Sequence, residues 1–355
     1  MPERLLILGG AGFIGSSLAI GLKQRHPDWS ITCFDNLRRR GSELNLRRFK
    51  QRQIAFVHGD VRVATDLDPQ VLAVDTIIDC SAEPSVMAGF KSPRYVLETN
   101  LLGTMNLLEF ARQLQANVLF LSTSRVYPIA ALRSLSLETT DTRFQLTPTQ
   151  TLPGVSAQGI SEDFPLTGHR SIYGSTKLAS ELLIEEYRAA YGIATIIDRC
   201  GVVTGTWQMG KVDQGVFMLW MAAHYFKTPL SYIGYGGAGK QVRDLLNVED
   251  LLEAIDLQLL HLPELDGQTF NIGGGISSSL SLLETTDLCQ KITGNQIEIL
   301  AVASDRQDDV PWFITDSRKV MQALNWQPQR SPLQTLQEMY HWIQAHEALL
   351  QPIFN

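Results

Sequence analysis

Tyr173 and Lys177 stand four residues apart in the run Tyr173-Gly174-Ser175-Thr176-Lys177. On a helix that spacing puts both side chains on one face. An ammonium beside a phenol favours the phenolate and lowers its pKa. A phenol so tuned serves as a general acid or base near neutral pH. Taken alone, such a pair is common and usually structural. A second polar group lies upstream, where the apolar run Val118–Leu121 breaks into Ser122-Thr123-Ser124-Arg125-Val126-Tyr127. A hydroxyl donor, a phenol and a lysine brought together suit the removal of an alcohol proton while hydride leaves for a nicotinamide.

The hydride acceptor has its own text. Leu5 to Gly15 reads LLILGGAGFIG, with Gly9, Gly12 and Gly15 three apart. A buried strand, a tight turn and a helix start produce this pattern, and the helix-start N–H groups would face a diphosphate. A flexible glycine loop is the plainer alternative. The frame favours the former, because an acid follows about twenty residues on, at Asp35. Asp35 ends the second strand-like run, where its carboxylate can accept hydrogen bonds from ribose hydroxyls and repel a 2′-phosphate. That favours NAD over NADP. Arg38, Arg39 and Arg40 argue the other way, since guanidinium groups bind phosphate; the position of Asp35 at the strand end outweighs them. Asp60, in HGDVR, could accept from the adenine amino group or be a solvated loop acid.

The elements that must position these groups alternate. Strands are expected at Arg4–Leu8, Ile31–Phe34, Gln53–Val57, Thr76–Cys80, Val118–Leu121 and Ile193–Ile197. Between them helices are expected from Gly12 to about Arg25, over Pro93–Leu114 and over Ile172–Tyr191, each with apolar residues every three or four positions. Alternation of this kind predicts an α/β fold, a Rossmann-like doubly wound parallel sheet. From Pro128 to Arg170 the pattern stops in Thr, Ser, Pro and Gly, too long for a simple connection and so a functional excursion over the site. After Cys200 the text turns to glycine loops and aromatics. The expected division is an NAD-binding domain over residues 1–200, with 241–262 returning to it, and a smaller mixed substrate domain over 201–240 and 263–355.

Bulk properties exclude several classes. The 355 residues carry a formal net charge of −7, with 44% hydrophobic and 19% charged residues. Nothing there suggests a nucleic-acid or membrane-surface partner. Cys33, Cys80, Cys200 and Cys289 form no Cys-x-x-Cys pair, and His341 and His346 are five apart, the wrong spacing for one ligand face. No metal is expected. The cysteines read as small buried hydrophobes in a reducing, cytoplasmic setting. Arg4 followed by apolar Leu5–Ile20 could pass for a secretory leader, but the recurring glycines and the strand–helix alternation make it the first unit of the fold. No run reaches transmembrane length without charges.

Together, GGAGFIG, Asp35, HGDVR, TNLLGT, LSTSRVY and YGSTK resemble the extended short-chain dehydrogenase/reductase superfamily, and within it the nucleotide-sugar epimerases and dehydratases. The resemblance covers nearly the whole chain. It implies an isomerase of carbohydrate metabolism with NAD as cofactor and a nucleotide sugar as substrate. Thr123 would hydrogen-bond the sugar oxygen, Tyr173 would be the acid/base, and Lys177 would bind the nicotinamide ribose. Cofactor contacts are expected from Gly9, Gly12, Phe13, Ile14, Gly15, Asp35, Asn36, Asp60, Val61, Cys80, Ser81, Ala82, Asn100, Ser122, Tyr173, Lys177 and Cys200.

Related 4,6-dehydratases carry Asp-Glu directly after the active-site threonine, and related decarboxylases carry Glu at the second position. Here Ser124-Arg125 follows Thr123, so oxidation and re-reduction at one carbon is the simplest remaining chemistry. Farther on, Asp213-Gln214-Gly215, GKQVRDL over 239–245, FNIGG over 270–274 and SLSLL over 279–283 resemble the subfamily of CDP-tyvelose (CDP-paratose) 2-epimerases, as does FDNLRRRGSELNLRRF. That resemblance points to C2 of a CDP-sugar, with a 4-epimerase or a net dehydrogenase/reductase as alternatives. Arg243 and Arg306 would hold the substrate diphosphate through their planar forks, or else form surface salt bridges; Glu83, Ser85, Arg125 and Gln214 are the other expected substrate residues. Pro128 after Val126-Tyr127, Cys80–Ser85 and Cys200-Gly201 depart from the family pattern at positions bordering the sugar. Pairing of the two long helices across a two-fold axis, giving a homodimer or homotetramer, is the implied assembly.

Overall fold

The computed structural model describes residues 3–210 and 214–354; Asp213 lies outside the described residues. Its central sheet has seven strands: β1 Arg4–Leu8, β2 Ser30–Asp35, β3 Ala55–His58, β4 Thr76–Asp79, β5 Asn117–Thr123, β6 Thr195–Cys200 and β7 Gln268–Ile272. Their order is β7-β6-β5-β4-β1-β2-β3. Pairing is parallel, with Leu5 opposite Ile31 and Thr76, and Thr123 opposite Cys200. Leu5, Leu6, Ile7 and Leu8 are all buried, as a strand covered on both faces requires. The chain runs outward from β1 to β3, then crosses to β4 and runs the other way. The carboxyl ends of β1 and β4 therefore flank the topological switch point, where ligands of such sheets bind.

The expected alternation holds, with informative differences. The third strand starts two residues later than expected because Gln53 turns with φ 55°. The sixth runs on to Cys200 rather than stopping at Ile197. Asp198 and Arg199 interrupt the apolar run but are buried within the strand, each with an internal partner. Pro93–Leu114 is not one regular helix. Helical turns at Pro93–Leu97 and Gly103–Leu114 are joined by a π-helical segment, Glu98–Leu102, that contains Asn100. Such bulges tend to accompany functional sites. The helix Asn45–Gln51 and the strand Gln268–Ile272 were not expected.

The chain forms two compact units. The first comprises the residues through Val126, Ser171–Cys200 and Leu252–Phe270; the second comprises Tyr127–Arg170, Gly201–Leu251 and the chain from Asn271 on. This departs from the expected division at two points. The excursion belongs to the second unit, where it folds as a short helix, Ile129–Arg133, and two small hairpins. Phe144 donates its N–H to the Lys240 carbonyl at 2.9 Å, and the Arg143 guanidinium pairs with Glu284. The segment expected to return at 241 begins instead with a second-unit strand, Val242–Asn247, which pairs with Val202–Thr204 and Ser279–Ser281.

On the first unit, Leu97, Leu102, Met105 and Leu182 remain exposed, so each long helical segment carries apolar residues beyond those packed inside. Among the described residues no helix is long and apolar enough to cross a membrane.

Candidate active site

The glycine turn after β1 divides its labour by position. Gly9 has φ 67°, and a Cβ there would lie 2.9 Å from the Cys80 backbone at the end of β4. A Cβ on Gly15 would come within 2.3 Å of the Gly9 carbonyl oxygen, so helix and strand pack at the closest possible distance. Gly12 differs: a Cβ there would meet only the Gly9 oxygen, at 3.1 Å. Gly12 begins the helix Phe13–Arg25, and no side chain caps it. The first-turn N–H groups beside Phe13 and Ile14 can thus serve an anion, and the bare Gly12 lets a diphosphate approach the backbone. The cradle fits a dinucleotide. Gly10, not singled out from sequence, packs against Cys33, its Cβ position only 2.6 Å from that of the cysteine.

Asp35 ends β2 as expected and also braces the turn. Its carboxylate accepts the Ala11 N–H at 3.1 Å and the Leu37 N–H at 2.8 Å. Burial pushes its pKa up against these donors. Asp60 is held in place rather than loosely solvated. Arg62 binds it in a fork, at 2.9 and 2.6 Å, and Asn36 donates to it at 3.0 Å. Arg62 holds the Asp60 carboxyl well below the usual carboxylate range. Val61 is buried, and its carbonyl accepts from Asn106 at 2.8 Å.

Thr123 and Tyr173 come together. Thr123 is the last residue of β5, Tyr173 lies in the first turn of the helix Ile172–Tyr191, and the Thr123 hydroxyl is near enough to favour the phenolate. The Thr123 oxygen also accepts the Arg125 N–H at 3.2 Å. Ser171 caps the helix by accepting the Gly174 N–H, which fixes the turn that carries the phenol. The tyrosine pKa departs from expectation. Burial pushes the phenol up to about 12, against the lowering effect of Thr123 and of the Arg125 charge. Lys177 lies one helical turn on and is itself buried. Its Nζ lies 3.7 Å from the centre of the Phe120 ring. Burial pushes its pKa down, opposed first by Asp79 and then by Glu181.

Several residues expected at the cofactor or substrate also brace the site. Ser122 donates to Glu181, which also receives the Arg199 fork at 2.7 and 3.1 Å, so its hydroxyl is committed to a buried ion pair. Asn100 accepts the Glu83 N–H at 2.8 Å and donates to the Glu83 carbonyl and to Thr176, at 3.2 and 3.0 Å. It thereby ties the loop after β4 to the tyrosine-bearing helix. Ser81 caps Asp79 through its N–H at 2.8 Å and its hydroxyl at 2.5 Å. Ala82 follows, half-buried. Burial pushes the Cys80 and Cys200 thiols up. Ser85, expected at the substrate, caps the helix Val86–Lys91 by accepting the Ala88 N–H at 2.9 Å. The Glu83 carboxylate accepts the Ser85 N–H at 3.1 Å.

Gln214, Arg243 and Arg306 lie in the second unit. Arg243 is not idle: it donates to the Asp309 carboxylate at 2.8 Å and to the Val310 carbonyl at 2.7 Å. Arg306 sits on the same short segment, where its carbonyl accepts the Asp309 N–H at 3.3 Å. Sequence reading passed over Asp79, Glu181 and Arg199. Glu181 was findable as the residue one helical turn beyond Lys177, and Arg199 as a charge inside a strand that must have a partner.

A parallel sheet crossed at its switch point by a glycine cradle, with a hydroxyl and a phenol in contact nearby, defines a Rossmann-like dinucleotide-binding enzyme. Residues 5–273 match the NAD dependent epimerase/dehydratase family. The chain is 31% identical over 346 residues to CDP-paratose 2-epimerase of Salmonella typhi, covering 96% of this chain and 98% of that protein. It is 26% identical over 353 residues to dTDP-glucose 4,6-dehydratase of Mycolicibacterium smegmatis, covering 99% and 96%. The solved structure of dTDP-glucose 4,6-dehydratase from Bacillus anthracis, in complex with NAD, superposes with a TM-score of 0.76 at 26% identity over 99% of each chain. The chain belongs to the NAD-dependent epimerase/dehydratase family.

Proposed function

We propose that this enzyme epimerises a CDP-sugar at C2 by transient oxidation and re-reduction at one carbon. The observation that carries the reading is the Thr123–Tyr173 hydroxyl pair followed by Ser124 and Arg125. A hydroxyl beside a phenol suits alcohol oxidation. The carboxylates that a β-elimination needs are not in the two positions where the family's dehydratases carry them. Likeness over nearly the full length to a CDP-paratose 2-epimerase supports the choice of carbon and of nucleotide.

NAD, when bound, would supply the hydride acceptor. Thr123 then hydrogen-bonds the sugar oxygen and orients it toward Tyr173. Tyr173, as phenolate, takes the hydroxyl proton at C2 and later returns it to the same oxygen. Lys177 donates to the nicotinamide ribose. Gly9, Gly12 and Gly15 admit the cofactor diphosphate, and Asp35 takes the adenosine ribose. In the second unit, Arg243 and Arg306 are the proposed ligands of the substrate diphosphate.

Purified enzyme given CDP-, UDP-, dTDP- and GDP-hexoses separately, followed by proton NMR, tests this. A C2 epimer from a CDP-sugar, with no build-up of NADH, is expected. A C4 epimer, turnover confined to other nucleotides, or NADH formed in step with product contradicts it.

A further inference from the structure

Lys177 is buried, and a buried ammonium needs a countercharge. The groups acting on it are Asp79 on β4, Glu181 on its own helix, and the thiols of Cys200 and Cys80. Burial keeps both thiols neutral. Glu181 is already bound by the Arg199 fork and by Ser122. That leaves Asp79.

The sheet register gives Asp79 the right location. Asp79 and Phe120 are direct partners on β4 and β5, so their side chains share one face. Ser122, two residues beyond Phe120, shares that face and reaches Glu181 on the helix Ile172–Tyr191. The face carrying Asp79 is therefore the one on which the Lys177 helix packs. The Lys177 ammonium lies over the Phe120 ring itself. Both Ser81 hydrogen bonds hold the Asp79 carboxylate by Oδ1. We propose that Asp79 is a positioning residue that supplies the countercharge of Lys177 from the neighbouring strand and holds the ammonium over the Phe120 ring. The proposal rests on the reading of Lys177 as a ligand of NAD.

Two measurements test it. The first is a double-mutant cycle by urea unfolding with Asp79→Asn, Lys177→Met and the pair together. The double variant's unfolding constant should lie about ten-fold closer to wild type than the two single effects combined. Additive effects overturn the pairing. The second is the NAD retained after desalting, from about pH 7 to about pH 10. Wild type should lose NAD as Lys177 deprotonates, and Asp79→Asn should lose it about one pH unit lower. Ser81→Ala, which removes one donor to Asp79, should shift the curve the same way by less, and serves if Asp79→Asn fails to fold. Coincident curves for wild type and variant overturn the proposal. A wild-type curve without alkaline loss instead overturns the reading of Lys177, and the proposal with it.

Discussion

Tyr173→Phe is expected to lower turnover by about a thousand-fold or more, since a positioned acid/base contributes roughly 10²- to 10⁴-fold. The change removes one oxygen from a phenol that is 8% exposed and beside Thr123. The ring that fills the pocket stays, so the urea midpoint should hardly move. Direction with pH follows from the raised pKa. In the free protein the phenol stays protonated below about 12, whereas taking the sugar proton requires the phenolate. Turnover of wild type should therefore rise with pH, and the residual turnover of the variant should lose that rise. A variant that keeps wild-type turnover, or the same pH profile, removes Tyr173 from the chemistry.

The second large effect is on stability. Asp198 is fully buried in β6, and Gln258 donates to its Oδ1 at 2.8 Å. Burial pushes its pKa up to about 7 from 3.8. Its Oδ2 and the Gln258 Oε1 are both buried without a partner. One proton on the carboxyl would satisfy both, as an acid–amide pair. A folded pKa above the unfolded one gives stability that is complete below about pH 4 and lost as pH rises through about 7. Ionising Asp198 in place costs on the order of 4 kcal/mol, from a shift of about three units. Asp198→Asn keeps the shape and supplies a permanent N–H for Gln258. It should match wild type near pH 4, gain on it steadily as pH rises toward 7, and stay clearly more stable near pH 9 by urea unfolding. A variant whose stability falls with pH as steeply as wild type contradicts this account of the pair.

How far the sequence could be read depended on whether a residue's partner was near it in the chain. The glycine turn was legible because its constraints are local: a positive φ at Gly9, a close contact at Gly15, an uncapped helix start at Gly12. The Thr123 and Tyr173 pairing was legible through the family pattern. Roles set by distant partners were not. Ser122 and Asn100 were expected at the cofactor, and nothing local announced that they also bond Glu181 and Thr176 on another element. The hold of Arg62 and Asn36 on Asp60 was not anticipated. β6 seemed to end at Ile197 because nothing local announces that Asp198 and Arg199 find buried partners on separate helices. The excursion joined the second unit through Arg143 and Glu284, 141 residues apart, a separation no window of sequence can span.

The most direct test of transient oxidation at C2 uses a CDP-hexose carrying deuterium at that carbon, turned over in ordinary water by the purified enzyme. If hydride leaves C2 and returns to it within one turnover, the epimer keeps its deuterium, and enzyme in deuterium oxide adds none to unlabelled substrate. Loss of the label to solvent at C2, or its retention there alongside inversion at C4, contradicts the account.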